Sequence, residues 1–108
     1  KLVSISKLKR AFENSLYLLG AFENDKLIAF IRCVGDGEHI LLIQDLIVDA
    51  DYYRQGIGTK LFKAVSEKYK DVRTFCLFTD IHDVRDNEFY KSVEMVKIEE
   101  KDTISYIR

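Results

Sequence analysis

Apolar and polar residues follow two different periods in the first third of the chain. Between Ser4 and Asn14 the apolar side chains recur every three or four residues, which predicts a helix with Ser4 as its N-cap. Two apolar runs follow, at residues 15–22 and 27–34, and the turn-prone Asn24-Asp25 lies between them. This arrangement predicts a β-hairpin.

The middle of the chain contains its most apolar run. Residues 40–48 are apolar except at Gln44 and Asp45, which predicts a central strand buried on both faces. The other predicted elements are a helix over 57–69, a short strand over 73–79, a short helix over 87–93 capped by Asp86 or Asn87, and a final hairpin of 95–98 and 103–107. The pattern predicts an α/β (α+β) fold, with a mostly antiparallel sheet flanked by helices.

Length and composition restrict the classes of protein. The 108 residues suit one domain spanning 1–108, and the 47% apolar content excludes a disordered chain. A net charge of −1 provides no basic surface, so neither nucleic acid nor a membrane is an expected partner. Cys33 and Cys76 lie inside apolar runs, which favours free, buried thiols in a reducing cytoplasm.

The segment after the apolar run carries the strongest chemical signal. The run leads through a polar loop into a helix whose first turn contains Gly56 and Gly58. Glycine lets a ligand approach the backbone, and the first amides of a helix attract anions such as phosphate. Arg54 and Lys60 add positive charge. Glycines at a helix start often only cap or pack, however, and the dinucleotide and P-loop fingerprints are both incomplete here.

Residues 44–61 resemble the acetyl-CoA-binding core of the GNAT N-acetyltransferase superfamily. Val48 fits the end of that family's strand, and Arg54-Gln55-Gly56-Ile57-Gly58 fits its glycine turn. Tyr53 departs from the pattern, because the family prefers Gln or Arg at that position. The resemblance extends in element order over residues 15–108. It implies that the family's usual first strand and first helix are missing from this sequence.

The resemblance implies acetyl-CoA as co-substrate and no metal. Backbone groups of Leu46, Ile47 and Val48 would pair with the pantetheine arm, and one of their N–H groups would stabilise the oxyanion. The amides expected to hold the pyrophosphate are those of Arg54, Gln55, Gly56, Ile57, Gly58 and Thr59. The alternative is that Leu46 to Val48 are only core residues.

A second segment, residues 83–95, resembles the family's segment that carries a catalytic tyrosine. Phe89-Tyr90 matches, which makes Tyr90 the candidate general acid for the leaving thiolate; the alternative is a core tyrosine. The departures from the family pattern are Asp83 for Asn, Asp86 for Ala, Glu94 for Gly and Met95 for Phe.

The general base is less defined. Asp45 is a carboxylate within an apolar strand and is the second catalytic candidate; the alternative is that it only braces the site through hydrogen bonds. Gln44 takes the position of a glutamate in some relatives but cannot accept a proton, and Glu23 is a further candidate. His39 and His82 have no partners at metal-ligand spacing, so exposed histidines are expected.

Taken together, the resemblance implies a cytoplasmic N-acetyltransferase that transfers acetyl from acetyl-CoA to a primary amine. The amine of a small molecule or peptide would attack directly in a ternary complex, and a homodimer is a possible assembly. The competing hypotheses are a catalytically reduced CoA-binding or interaction module with the same fold, and a structural dimer module that binds no CoA.

Overall fold

The computed structural model describes residues 4–108. The described elements, in chain order, are helix α1 (Ile5–Glu13), strands β1 (Tyr17–Glu23), β2 (Lys26–Gly35) and β3 (Ile40–Val48), helix α2 (Ile57–Lys68), strand β4 (Thr74–Leu77) and helix α3 (Val84–Ser92). Two 3₁₀ turns cover Ala50–Tyr52 and Ile98–Lys101. The chain divides into two compact units, of which the first ends at Phe78 and the second is Thr79–Arg108.

The first unit contains a four-stranded sheet in the order β1-β2-β3-β4. The pairs β1–β2 and β2–β3 are antiparallel, and β4 is parallel to β3. Helix α2 makes the long connection that a parallel pair requires. Asn24 turns the β1–β2 hairpin with a positive φ of 55°. This mixed, mostly antiparallel sheet confirms the predicted fold class.

The core lies between the sheet and α2. Ile31, Cys33 and Leu41 of the sheet and Val65 of α2 have almost no exposed surface. Helix α1 lies on the opposite face of the sheet, where the ring of Phe12 packs 6.0 Å from that of Phe30. The apolar sides of α1 and α2 therefore cover the two opposite faces of one sheet.

The prediction that both cysteines are free is confirmed, and the burial of Cys33 is complete. Burial raises the pKa of the Cys33 thiol to about 11, so this side chain stays an uncharged core residue at neutral pH. Cys76 is partly buried rather than fully buried, and desolvation raises the pKa of its thiol as well. Neither thiol has the exposed, electropositive surroundings that activate a cysteine.

The ends of the helices show where local polar groups decide the boundaries. Ser4 caps α1 as predicted, because its hydroxyl accepts a hydrogen bond from the amide of Lys7. The predicted cap of α3 is wrong. Asp83 caps this helix by accepting from the amide of Asp86, so α3 begins three residues earlier than the apolar pattern suggests. Asn87 lies inside the helix and donates to the carbonyls of Asp80 and Asp83.

The predicted final hairpin is wrong. A 3₁₀ turn covers Ile98–Lys101, closed by a bond from the amide of Lys97 to the carboxylate of Glu100, and residues 103–108 have no regular structure. Within the described part of the chain, neither segment is paired with a strand of the sheet. An alternating sequence forms a strand only when a neighbouring strand completes its hydrogen bonds, so the pattern alone was insufficient.

Candidate functional site

Strand β3 contains a β-bulge at Gln44. Arg32 of β2 lies opposite Asp45, but the next residue, Cys33, lies opposite Ile43, so Gln44 is an additional residue in β3. Consecutive residues of β2 point to opposite faces of the sheet. The bulge therefore places Asp45 on the face of α1 while Ile43 is buried on the face of α2. Strict alternation of side chains between the two faces is therefore interrupted at Gln44.

Beyond the bulge, β3 has a strand neighbour on one side only. Strand β4 pairs with β3 from Ile40 to Ile43, and among the described residues no strand pairs with 44–48 on that side. The amide of Asp49 donates to the carbonyl of Ile28 at 2.8 Å. Because backbone groups alternate in direction along an antiparallel strand, Ile47 faces β2, whereas Leu46 and Val48 direct their N–H and C=O groups to the unpaired side.

The expectation that β3 is buried on both faces is wrong in part. Leu41 and Ile43 are buried against α2, but Ile47 on the other face is 52% exposed. Leu46 and Val48 are half-buried. The strand is therefore a core element in its first half and a surface with available backbone groups in its second half.

The loop after β3 places the glycine turn at the start of α2. Arg54 and Gly56 both have positive φ angles, of 65° and 77°. The first bond of the helix runs from the amide of Lys60 to the carbonyl of Gly56. The amides of Ile57, Gly58 and Thr59 therefore have no carbonyl acceptor within the helix. Gly56 is the N-cap and has no side chain that could satisfy them.

The space in front of this helix start is open, and two cationic side chains lie beside it in the sequence. A Cβ built on Gly56 would meet no atom within 4 Å, so a ligand can reach the backbone there. Its left-handed φ also makes glycine the favoured residue. Arg54, Gln55 and Lys60 are exposed around it, and their two cationic side chains add to the positive end of the helix dipole. Free amides at a positive helix end suit the diphosphate of a coenzyme.

Asp45 is held by an arginine that the sequence did not single out. Arg32 Nε donates to Asp45 Oδ2 at 2.7 Å, and the Arg32 side chain is only 11% exposed. Arg32 Nη1 also donates to the carbonyl of Ala11 and to the hydroxyl of Ser15, both at 3.3 Å. The sequence signal that could have revealed the pair is a single arginine in one apolar strand and a single aspartate in the next.

Tyr90 belongs to the second unit, on α3. It is half-buried, and its ring packs edge-on against that of Phe89 with centroids 5.1 Å apart. Burial, with the nearby charge of Asp86 as the smaller cause, raises the pKa of the Tyr90 phenol to about 12. The phenol is therefore fully protonated at neutral pH and can act as a donor.

The helix that carries Tyr90 ends in a left-handed residue. The amide of Glu94 donates to the carbonyl of Lys91, and the amide of Met95 donates to that of Tyr90. Glu94 has a φ of 69°, a conformation in which glycine is usual at the end of a helix. Glu94 stands where the resembling family pattern has glycine, so the backbone adopts the glycine conformation although the side chain has changed.

The sequence profile described as "Acetyltransferase (GNAT) family" matches residues 3–94 of this chain. The chain belongs to the GNAT acetyltransferase family. Its sequence relatives include an uncharacterized ycf52-like N-acetyltransferase of Prochlorococcus marinus, 33% identical over 70% of the chain and 46% of the relative. The ycf52 protein of Gracilaria tenuistipitata, also an uncharacterized N-acetyltransferase, is 31% identical over 85% of the chain and 52% of the relative. The GNAT chain described here thus spans about half the length of these curated relatives.

Solved structures show the same architecture. A GNAT-family acetyltransferase of Streptococcus pneumoniae is 31% identical, with a TM-score of 0.88 over 97% of this chain and 79% of that protein. The aminoglycoside N-acetyltransferase AAC(6')-Iy, solved in complex with CoA, has a TM-score of 0.74 over 95% of this chain and 85% of that one. At 14% identity, the second likeness concerns the fold alone.

The remaining polar candidates of this GNAT domain lie on the surface. Gln44 and Glu23 are exposed, and Glu23 ends β1 at the hairpin. His39 and His82 are exposed as expected, and from Ser4 onwards no group of three potential metal-ligating side chains occurs. No described helix is long and apolar enough to span a membrane.

Proposed function

We propose that this GNAT domain binds acetyl-CoA and transfers the acetyl group to a primary amine by direct attack in a ternary complex. One observation carries the proposal: the unpaired side of β3 leads directly into the free amides of α2. Leu46 and Val48 direct backbone groups outwards, and the amides of Ile57, Gly58 and Thr59 follow after the loop of residues 49–56. This order suits a coenzyme whose amide-containing arm ends in a diphosphate.

The chemistry follows from this arrangement. The lone pair of the amine nitrogen attacks the thioester carbon, and the carbonyl oxygen gains negative charge. An outward N–H of Leu46 or Val48 is the proposed donor to that oxygen. The carbon–sulfur bond then breaks with its electron pair on sulfur, and the Tyr90 phenol supplies the proton that makes CoA a thiol. The proton lost by the amine returns through solvent to Tyr90.

Several finer assignments belong to the same proposal. The acceptor is a small-molecule or peptide amine, in line with the structural relative that is named as an aminoglycoside N-acetyltransferase. Two free thiols support a cytoplasmic location. The homodimer stays a prediction, and the apolar tail residues Ile104, Tyr106 and Ile107, all strongly exposed, are the proposed contact.

Isothermal titration with acetyl-CoA tests binding, and one substitution distinguishes a loss of ligand access from a loss of stability. Gly58→Leu introduces a better helix former, worth up to about 0.8 kcal/mol in a helix interior, but covers the amides of the first turn. We expect affinity to fall at least about tenfold while the melting temperature does not fall. Ala64→Leu, at an exposed position of the same helix, is the matched control and should bind as the wild type does.

The binding proposal fails if the wild type gives no heat with acetyl-CoA up to about 1 mM, the upper end of ordinary KM values. It also fails if Gly58→Leu binds as tightly as the wild type. A catalytic assay follows, in which thiol release is measured with spermidine, lysine and sisomicin as acceptors. Binding without thiol release on any acceptor would favour the second candidate, a CoA-binding module without catalysis. The departures from the family pattern at Gln44, Tyr53, Asp83 and Glu94 support that candidate.

A further inference from the structure

One guanidinium connects three elements of the first unit. Arg32 on β2 donates to Asp45 on β3, to the carbonyl of Ala11 near the end of α1, and to the hydroxyl of Ser15 after that helix. Its carbon lies 5.0 Å from the centre of the Phe12 ring. From Ser4 onwards no buried side-chain nitrogen or oxygen lacks a hydrogen-bond partner, and this holds for the buried nitrogens of Arg32 as well.

The position of this contact along β3 is what makes it informative. Asp45 immediately follows the bulge residue Gln44 and immediately precedes Leu46, the first residue with backbone groups directed to the unpaired side. A bulge interrupts the regular ladder and leaves one residue without a partner. The strand is therefore least constrained by backbone bonds just where Arg32 holds it through a side chain.

We propose that Arg32 is a positioning residue for acetyl transfer, which it serves by fixing Asp45 and, through it, the direction of the Leu46 backbone groups. This inference rests on the proposed function. We call the contact between Arg32 and Asp45 the clamp: Arg32 Nε donates to Asp45 Oδ2 and so holds Asp45 in place. Oxyanion donors act by being held in place before the reaction, so loosening this segment lowers kcat more than it weakens coenzyme binding at α2.

The contact differs from the other ion pairs of the first unit. Lys26 and Asp49 also join β2 to the end of β3, but at 3.6 Å and with a lysine side chain that is 61% exposed. Exposed pairs of that kind contribute little. The Arg32–Asp45 pair is short and charge-assisted and leaves only 29% of the Asp45 side chain exposed. Removing the arginine would leave a half-buried carboxylate without its partner.

Hydrogen exchange of the protein without ligand tests the clamp directly. In Arg32→Met we expect the protected amides among residues 44–48, which are those of Asp45 and Ile47 that face β2, to exchange about tenfold faster, while those of the β1–β2 hairpin turn stay unchanged. Arg32→Lys keeps the charge but cannot reach all three partners, so it should give a smaller increase and serves if the methionine variant does not fold. Lys26→Met removes the exposed pair on the same strands and should leave residues 44–48 as in the wild type.

Kinetics then connect the clamp to the reaction. For Arg32→Met we expect kcat to fall by about tenfold to a hundredfold while the Kd for CoA changes by less than about threefold. Asp45→Asn keeps an oxygen that accepts from Arg32, so its kcat should fall less than that of Arg32→Met. If Asp45 were instead the proton acceptor, Asp45→Asn would be the more damaging change and would remove a limb of the pH profile, which would overturn the positioning role.

The two proposals can fail separately. Unchanged exchange at residues 44–48 in folded Arg32→Met and Arg32→Lys would overturn the clamp, whatever the activity of the wild type. An equal fall of kcat and CoA affinity would also overturn it, because that pattern indicates a general loss of structure. A wild-type protein that releases no thiol on any acceptor would instead overturn the proposed function.

Discussion

Tyr90 illustrates how the surroundings of a single residue change its chemistry. Its phenol is half-buried, and burial together with the charge of Asp86 raises the pKa to about 12. Since a free thiol has a pKa of about 8.5, the phenol contributes by donating to sulfur as charge develops there rather than by being a strong acid. Because its pKa is this high, the Tyr90 phenol keeps its proton in the free enzyme throughout the neutral pH range.

The first prediction concerns Tyr90→Phe. Loss of the hydroxyl should lower kcat by about a hundredfold, the lower end of the range for general acids, and should leave the Kd for acetyl-CoA nearly unchanged. Steady-state kinetics with thiol detection, paired with calorimetry, measures both. Tyr106→Phe, at a residue of the same unit that is 91% exposed, is the control and should have wild-type kcat. A wild-type kcat in Tyr90→Phe would remove this residue from the mechanism.

At the residue scale the sequence predicted those features that depend on local chemistry. Gly56 was predicted to open a helix, and it does so with the left-handed φ that glycine permits. The partner of Asp45 was not predicted, although a bracing role was one alternative. Arg32 lies thirteen positions away in the chain, and only the register of β2 against β3 brings the two side chains together.

The end of α3 contains a residue in an unfavourable backbone conformation. Glu94 has a φ of 69° and still makes the closing bond to the carbonyl of Lys91. A residue with a Cβ is strained in this region by roughly 1–2 kcal/mol. The helix is therefore closed as a glycine-terminated helix would be, at the expense of a strained glutamate.

The second prediction follows from that strain. Glu94→Gly should raise the free energy of unfolding by about 1 kcal/mol, measured by urea denaturation. The same substitution at the exposed Glu88, inside α3, is the matched control and should instead lower it by about 0.8–1 kcal/mol, since glycine is a poor helix former. Changes of the same sign in both variants would contradict the conformational explanation.

At the element scale the sequence located the helices and strands of the first unit to within about two residues. Periodicity succeeds there because α1 and α2 each pack one face against the sheet. It failed for residues 95–98 and 103–107, whose alternation requires a strand partner to become structure. The bulge at Gln44 was also beyond reach, because an additional residue is visible only against the register of a neighbouring strand.

The free energy of unfolding of the whole molecule depends on pH through the carboxylate of Asp36, in the loop between β2 and β3. Asp36 Oδ1 accepts hydrogen bonds from the amides of Ile40, Glu38 and His39, at 3.0, 2.9 and 2.8 Å, and so holds the connection between β2 and β3. These three bonds, that of Ile40 contributing most, lower the pKa of Asp36 to about 2. The unfolded chain takes up this proton first, at a pKa near 3.8, so the folded state is favoured above that pH.

The third prediction states this dependence with its sign. The stabilisation from Asp36 should be complete above pH 4 and should be lost as pH falls towards 2. Asp36→Asn should therefore be less stable than the wild type at pH 7, and the difference should shrink through this range in urea titrations. Asp71→Asn, which also removes an exposed negative charge, provides the baseline. A difference that is constant with pH would show that the carboxylate charge is not responsible.

The additional residue in β3 also affects how this gene can change. Asp45 lies opposite Arg32 and Ile43 lies opposite Cys33, so deleting the codon for Gln44 would join two neighbouring pairs of a regular ladder and leave both side chains on their present faces. Deleting another residue from the interior of β3 would shift part of the strand by one position and turn side chains of that part to the opposite face. Among descendants of this sequence, a β3 that is one residue shorter should therefore lack the residue at 44 and keep Ile43 next to Asp45.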